Sequence, residues 1–352
     1  MSEEKSCCCS ADTCCAVEPI RGEIRALQHD VTAVSTNINF KDTLGTWKAR
    51  WGIGRMNYKI NPGLYAVGNP DHTSPVLVSA NYKLTFDALR KELSGLHCWI
   101  LILDTKGINV WCAAGKGTFG TDELVGRILK TGLSGLVSHR KLILPQLSAP
   151  GVSAHEVTRQ TGFAVVYGPV RARDIKAFLE SDLTATEEMR SVKFTLRDRL
   201  VLTPVELVPA AKASLMVFGV LFLINLFAAR PFGLADLIVY AGAVVTGTVV
   251  TPALLPYIPG RAFAWKGWLL GLCWTAWFIW FNGWFVSEFL LLAIGYLLVL
   301  PSLSAFLAMN FTGSSTYTSF SGVIKEMKTA VPLIALSSVV GIVLVLTATL
   351  ST

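Results

Sequence analysis

The sequence predicts a two-part molecule, an α/β domain followed by an all-α transmembrane domain of five helices. Three observations predict it. Through roughly residue 203 of the 352-residue chain, short strand-like runs alternate with helical stretches. From about residue 205 the sequence is overwhelmingly apolar. Its charges there are confined to Lys212, Arg230, Arg261, Lys266, Lys325 and Lys328 and to Glu206, Asp236, Glu288 and Glu326. The loops that follow the predicted strands are rich in glycine, proline and small residues, as ligand-facing loops of open sheets are.

In chain order, residues 1–19 form a cysteine-rich tail with a disordered composition, 20–203 the α/β domain and 204–352 the transmembrane domain. Residues 64–67 and 75–79 read as extended, 85–93 as helix and 99–103 as a buried strand. A helix is expected over 121–131, a strand over 141–144, a helix over 153–160, a strand over 163–167 and a helix over 171–180. Strand–helix alternation of this kind implies a mainly parallel sheet covered by helices. Residues 192–202 are expected to add an edge strand.

A membrane-spanning helix needs about 20 apolar residues. Residues 213–229, 234–255, 264–284, 289–309 and 331–350 qualify, with Pro252, Pro256, Pro301 and Pro332 at or inside their ends. Six of the ten tryptophans fall between 265 and 284. Trp265, Trp268 and Trp284 sit at expected interfacial levels, and Trp274 and Trp277 mid-span, facing other helices. Arg261, Lys266, Lys325 and Lys328 fall on one side, which the positive-inside rule makes cytoplasmic. That orientation puts the α/β domain in the cytoplasm and the C-terminus outside, in a multi-pass protein of the inner membrane. The polar run 310–322 reads either as a solvated connection or as a contact surface.

The first twenty residues lack the apolar core of a secretory signal, so the thiols are expected to be reduced. The net charge of +7 is spread out, with no basic stripe interleaved with aromatics, so no nucleic acid is expected as partner. No Gly-x-Gly-x-x-Gly opens a helix and no Walker A pattern is present. His29, His72, His97, His139 and His155 are scattered, without a hydrolase constellation.

The residue that stands out is Cys112. An apolar strand points at the run 104–120, and small residues and glycines surround the thiol, which lets a large flat group approach the backbone. A packed core thiol is the other reading.

The octapeptide Asn109-Val-Trp-Cys-Ala-Ala-Gly-Lys116 resembles the cap-helix signature of the HgcA family of mercury-methylating corrinoid proteins. The wider segment, from Asn61-Pro-Gly-Leu-Tyr-Ala-Val-Gly-Asn-Pro70 to Gly168-Pro-Val170, is similar to the corrinoid domain of the corrinoid iron–sulfur protein large subunit of the acetyl-CoA pathway. The five spans fit the first family and not the soluble relative. The resemblance implies a Rossmann-like corrinoid-binding domain holding a cobalamin-type corrinoid in a base-off state, with the Cys112 thiolate as axial ligand to its cobalt. It implies that Asn109 fixes the cap. Val110, Trp111, Ala113, Ala114, Gly115, Lys116, Gly117 and Thr118 would neighbour the cofactor, Ser79 and Thr85 would offer it hydroxyls, and Gln146, Gly151 and Gly168 would complete the set from the rim.

The activity implied is methyl transfer from cobalt to Hg(II). A methyl carrier of one-carbon metabolism without mercury specificity is the alternative, and a transporter with a cytosolic sensor domain a third. The family's partner is a small HgcB-type ferredoxin with two 4Fe–4S clusters. A methyl-donating corrinoid or folate system, Hg(II) and the lipid bilayer complete the partners. Cys7, Cys8, Cys9, Cys14 and Cys15 match neither common ferredoxin spacing, so the chain is expected to hold no iron–sulfur cluster of its own. These adjacent thiols read either as soft-metal capture or as a tail without a set role.

Overall fold

The structure, a computed structural model, describes residues 31–286, 288–315 and 320–350. The five N-terminal cysteines lie outside the described residues. Two compact units emerge, one over 31–49 and 53–192, the other over 50–52 and 193–350.

In the first unit the elements are β1 (Thr32–Val34), α1 (Phe40–Arg50), β2 (Gly63–Val67), β3 (Val76–Ala80), α2 (Lys83–Glu92), β4 (Cys98–Leu103), α3 (Val110–Lys116), α4 (Thr121–Lys130), α5 (Leu133–Leu136), β5 (Lys141–Leu144), α6 (Ala154–Thr161), β6 (Ala164–Tyr167), α7 (Ile175–Glu180) and α8 (Glu187–Arg190). The six strands form one sheet in the order β1-β2-β4-β3-β5-β6. Strands β4, β3, β5 and β6 are parallel neighbours, whereas β2 runs antiparallel to β4 and takes β1 with it. The expected mainly parallel sheet is therefore mixed. The reversal brings the start of β2 to the rim where β3, β4, β5 and β6 end, since Gly63 pairs with Ile102.

All six residues of β4 are buried, as a central strand covered on both faces requires. Alternation sends Trp99, Leu101 and Leu103 to one face, with Val78, Val110, Ala113, Phe119 and Phe163. Cys98, Ile100 and Ile102 go to the other, with Phe86 and Phe178.

The second unit comprises α9 (Leu196–Asn225), α10 (Leu234–Val245), α11 (Thr251–Leu254), α12 (Phe263–Phe281), α13 (Leu290–Asn310) and α14 (Phe320–Leu350). The expected edge strand over 192–202 is instead the start of α9. Thr195 caps that helix, and Thr195 and Asp198 satisfy each other's backbone N–H in a capping box. The expected boundary at 203 thus falls inside α9. Among the described residues four helices are long and apolar enough to cross a membrane: Leu196–Asn225, Leu234–Leu254, Leu290–Gly313 and Ser321–Leu350. The segment expected as a further span is helical as α12, but its five tryptophans and Lys266 lower its hydropathy.

Helices α12 and α13 approach closely because Gly267 and Gly271 carry no side chain. A Cβ on Gly267 would lie 2.6 Å from the Ser304 carbonyl oxygen, and one on Gly271 2.9 Å from the Pro301 Cα. This is the small-residue packing of membrane helices. Trp274 donates its indole N–H to the Val239 carbonyl at 2.9 Å, as its mid-span position suggested, while Trp277 is exposed. Of the polar run after α13, the described residues 311–315 begin with a short 3-10 turn. Phe311 and Thr312 are buried, and Phe311 packs with Phe194, Leu255 and Phe263. Asp236 accepts from Gly233 N–H at 2.8 Å and from the Tyr296 hydroxyl at 2.6 Å, which makes it a helix cap.

Candidate functional site

At the carboxyl rim of the sheet the chain leaves β4 through a tight turn. Asp104 receives Lys106 N–H at 3.1 Å and pairs with its ammonium at 2.6 Å. Burial alone would raise the Asp104 carboxyl, but its bonds with Lys106 and Asn81 outweigh that and hold it below the ordinary carboxylate range. Asp104 N–H donates to Glu123 Oε1 at 2.8 Å, which ties the turn to α4. Lys106 adopts φ 59°, a left-handed conformation uncommon for a residue with a side chain.

The hub of this turn is Asn81, buried just past β3. Its Oδ1 accepts from Thr105 N–H at 3.1 Å, from the Thr105 hydroxyl at 2.9 Å and from Gly107 N–H at 3.0 Å. Its Nδ2 donates to Asp104 Oδ1 at 3.1 Å. The Asn81 backbone N–H donates to the Leu103 carbonyl, and its own carbonyl accepts from Ile60 N–H. Sequence reasoning gave Asn81 no role. The signal available was an asparagine between a buried strand and a helix, a residue type that bonds nearby backbone.

The turn delivers α3. Asn109 caps it, and its Oδ1 accepts from Cys112 N–H at 2.9 Å. The helix ends at Gly117, φ 78°, the left-handed conformation glycine adopts freely. Val110, Ala113 and Ala114 face the core, and Trp111 and Cys112 are half-buried. Cys112 is a free thiol. Gly115, Lys116 and Gly117 are exposed at the far end of the helix, and the Thr118 hydroxyl bonds the Ala113 carbonyl at 3.4 Å.

Helix α3 is seated against β3 and the turn Gln146–Ser148 that follows β5. Gly151 makes this seat possible. A Cβ there would strike the Phe119 carbonyl oxygen and come within 2.9 Å of the Ala114 Cα. Gly168 likewise lacks room for a side chain beside Ile143, and its N–H donates to the Leu144 carbonyl at 2.8 Å. Gln146 is half-buried. Its Oε1 is the buried side-chain oxygen that, among the described residues, has no hydrogen-bond partner. Leaving such an atom unpaired costs about 1–3 kcal/mol. Thr85 is the third residue of α2, half-buried. Ser79 is buried on β3 opposite Ile102, and strand alternation puts it on the Leu77 face, away from α3. The structure therefore gathers Asn109, Cys112, Gly151 and Gln146 at α3 and its seat, whereas Ser79 lies on the other face of the sheet.

Comparison with known proteins matches this same stretch. The family described as CdhD, the CO dehydrogenase/acetyl-CoA synthase delta subunit, matches residues 53–179. The chain is 34% identical over 130 residues to the acetyl-CoA decarbonylase/synthase complex subunit gamma of Methanocaldococcus jannaschii, which covers 36% of this chain and 26% of that one. It is 32% identical over 130 residues to the subunit gamma of Methanopyrus kandleri, covering 36% and 28%. Against the subunit gamma 2 of Methanosarcina thermophila it is 32% identical over 132 residues, with the same shares. The chain thus spans about a quarter of the length of these relatives, and the family match lies within the α/β unit.

Proposed function

We propose that the α/β unit binds a corrinoid and serves in methyl transfer, in the manner of a methyl carrier of the acetyl-CoA pathway. The observation that carries this reading is α3, a short helix held at the carboxyl rim with a half-buried free thiol, Cys112, beside a turn whose Gln146 oxygen lacks a partner. The family match over residues 53–179 and the similarity to acetyl-CoA decarbonylase/synthase subunits support it.

The residues fit such a group. Cys112, a free and half-buried thiol, would hold the group's metal as the thiolate. A corrinoid also carries amide side chains, and Gln146 Oε1 is free to accept from one. When bound, it supplies cobalt-borne methyl transfer. Asn109 holds the backbone at Cys112, and Asn81 holds the turn before it. Ala113 and Ala114 anchor α3 from below through the core. The thiolate of Cys112 would donate electron density to the metal.

A second reading concerns the acceptor. The resemblance of residues 109–116 to the cap-helix signature of mercury-methylating proteins, in a chain that also carries long apolar helices, suggests Hg(II), a soft electrophile, as methyl acceptor. On that reading the protein is a membrane-anchored enzyme of the cytoplasmic membrane. The five spans expected from the sequence would then cross it, the four long apolar helices among the described residues being compatible with this, and Arg261, Lys266, Lys325 and Lys328 would lie on the cytoplasmic side. A small ferredoxin-like protein with two 4Fe–4S clusters would restore the reduced metal after each transfer.

The deciding experiment uses the purified full chain under reducing conditions, loaded with corrinoid and methylated. Loss of the cobalt-borne methyl on adding Hg(II), with methylmercury as product, supports the mercury reading. Transfer to an acetyl-CoA synthase partner and none to Hg(II) supports the carrier. Absence of corrinoid binding in both wild type and Cys112→Ala rejects the proposal.

A further inference from the structure

Helix α1 is built inside out. Its inward face is small or charged. Gly45 meets the Tyr58 ring so closely that a Cβ would lie 2.7 Å from the ring's Cε2, and Ala49 is buried. Asp42 pairs with Lys83 at 2.6 Å and with Arg90 at 2.7 Å. Asp87 holds the same two cations, both at 2.7 Å. The Arg90 guanidinium also donates to the Ser35 and Asn37 carbonyls, at 2.6 and 2.9 Å. The outward face is aromatic and aliphatic. Phe40 is 76% exposed and Trp47 59%, with Leu44 between them at helical spacing. Ile53 and Met56 follow in the chain, each more than half exposed. Among the described residues of the first unit, the other large apolar side chains with comparable exposure are Leu129 and Val192.

An exposed apolar cluster of this size marks an interaction surface. Its surroundings specify the partner. The face is bordered in sequence by Lys41, Lys48 and Arg55, and the acid of this segment, Asp42, is turned inward onto Lys83 and Arg90. Aromatic side chains bordered by cations suit an anionic lipid surface, where Trp rings settle at the headgroup level and basic residues meet the negative potential. Among the described residues four helices are long and apolar enough to cross a membrane, so a bilayer surface is within reach at high effective concentration.

We propose that the outward face of α1, with Ile53 and Met56, is an interfacial docking surface that rests the α/β unit on an anionic membrane. This goes beyond the methyl-transfer reading and stands without it. The rigid ion-pair clamp on the inner face lets α1 keep its apolar face outward without unravelling into the core.

The test uses the full chain in lipid nanodiscs containing about a third phosphatidylglycerol. The photoreactive p-benzoylphenylalanine replaces Trp47 in one variant and, as an exposed control, Leu129 in another. Both sites are exposed, so thermal unfolding of each variant should match the parent. After irradiation, lipid adducts at position 47 should exceed those at 129 by about fivefold or more. Adding Lys41→Glu and Lys48→Glu to the first variant should cut its adducts about tenfold. Equal yields at 47 and 129 overturn the proposal. So do adducts at 47 that, in native membranes, go to a protein in preference to lipid.

Discussion

The two cysteines of the first unit that the structure describes stand on either side of one strand, and they differ in almost every physical respect. Cys98 is the first residue of β4, fully buried among Ile100, Ile102 and Phe86. Burial pushes its thiol up to about 12. Cys112 lies beyond the other end of β4, half-buried, on a helix that hydrogen bonds and a glycine contact hold in place. Apolar packing makes a thiol inert. A polar scaffold of Asn81, Thr105 and Asn109 keeps a thiol presented. The difference lies in what surrounds each residue.

Chemical labelling should show the largest contrast. At pH 8 a thiol at about 12 is ionised to about one part in ten thousand, and the sheet shields it as well. Iodoacetamide on the native protein should therefore label Cys112 about a thousandfold faster than Cys98. Comparable rates, read by peptide mass spectrometry, would break the comparison.

Serine exchange at the two sites should give opposite outcomes. Cys112→Ser should reduce methyl transfer by about a hundredfold or more and leave stability within about 0.5 kcal/mol. Cys98→Ser buries a hydroxyl and should cost about 1–3 kcal/mol with little loss of activity in the surviving fold. Denaturant unfolding and turnover, measured together, test the pair.

Asn81→Ala removes three accepted hydrogen bonds and one donated bond and leaves buried donors unpaired. Destabilisation of about 2–3 kcal/mol is expected, together with faster amide exchange over residues 105–112. Unchanged exchange there would show that the turn holds α3 without Asn81. At Gly151 the fault would be steric. Gly151→Ala drives a methyl into the Phe119 and Ala114 backbone and should cost about 1–3 kcal/mol, with α3 displaced.

The smallest effect concerns pH. Burial would raise the Asp42 carboxyl, but bonds from Lys83 and Arg90 outweigh it and hold it below its ordinary value. A depressed carboxyl contributes stability that is complete above the unfolded-state pKa and disappears as pH falls through the folded one. Asp42→Asn should flatten the acid side of the stability curve and leave the neutral side parallel to the parent's. An acid limb as steep as the parent's would dismiss the clamp's role.

Much of this was legible in the sequence because hydrophobic periodicity reports elements that bury a face. The strands at β3, β4, β5 and β6 and the long apolar helices follow from it. The antiparallel β2 was not legible, since strand direction leaves no mark in an apolar run. β1 has only three residues, of which Val34 alone is buried, too few for a pattern. The residues around 196 read as a strand because Val192 and Phe194 precede a capping box that reveals itself only through hydrogen bonds. At the site, Cys112 and its cap were readable from their own residue types. The hub at Asn81 was not, because its role depends on a turn that begins more than twenty residues later.

Asn81 does its two jobs with different atoms. Its peptide nitrogen and oxygen join Leu103 to Ile60 and so belong to the framework. Its carboxamide alone reaches the turn ahead of α3. For a protein engineer this separates two properties that are usually welded together. Replacing one side chain can retune how firmly the thiol-bearing helix is latched, while the scaffold beneath keeps its wiring.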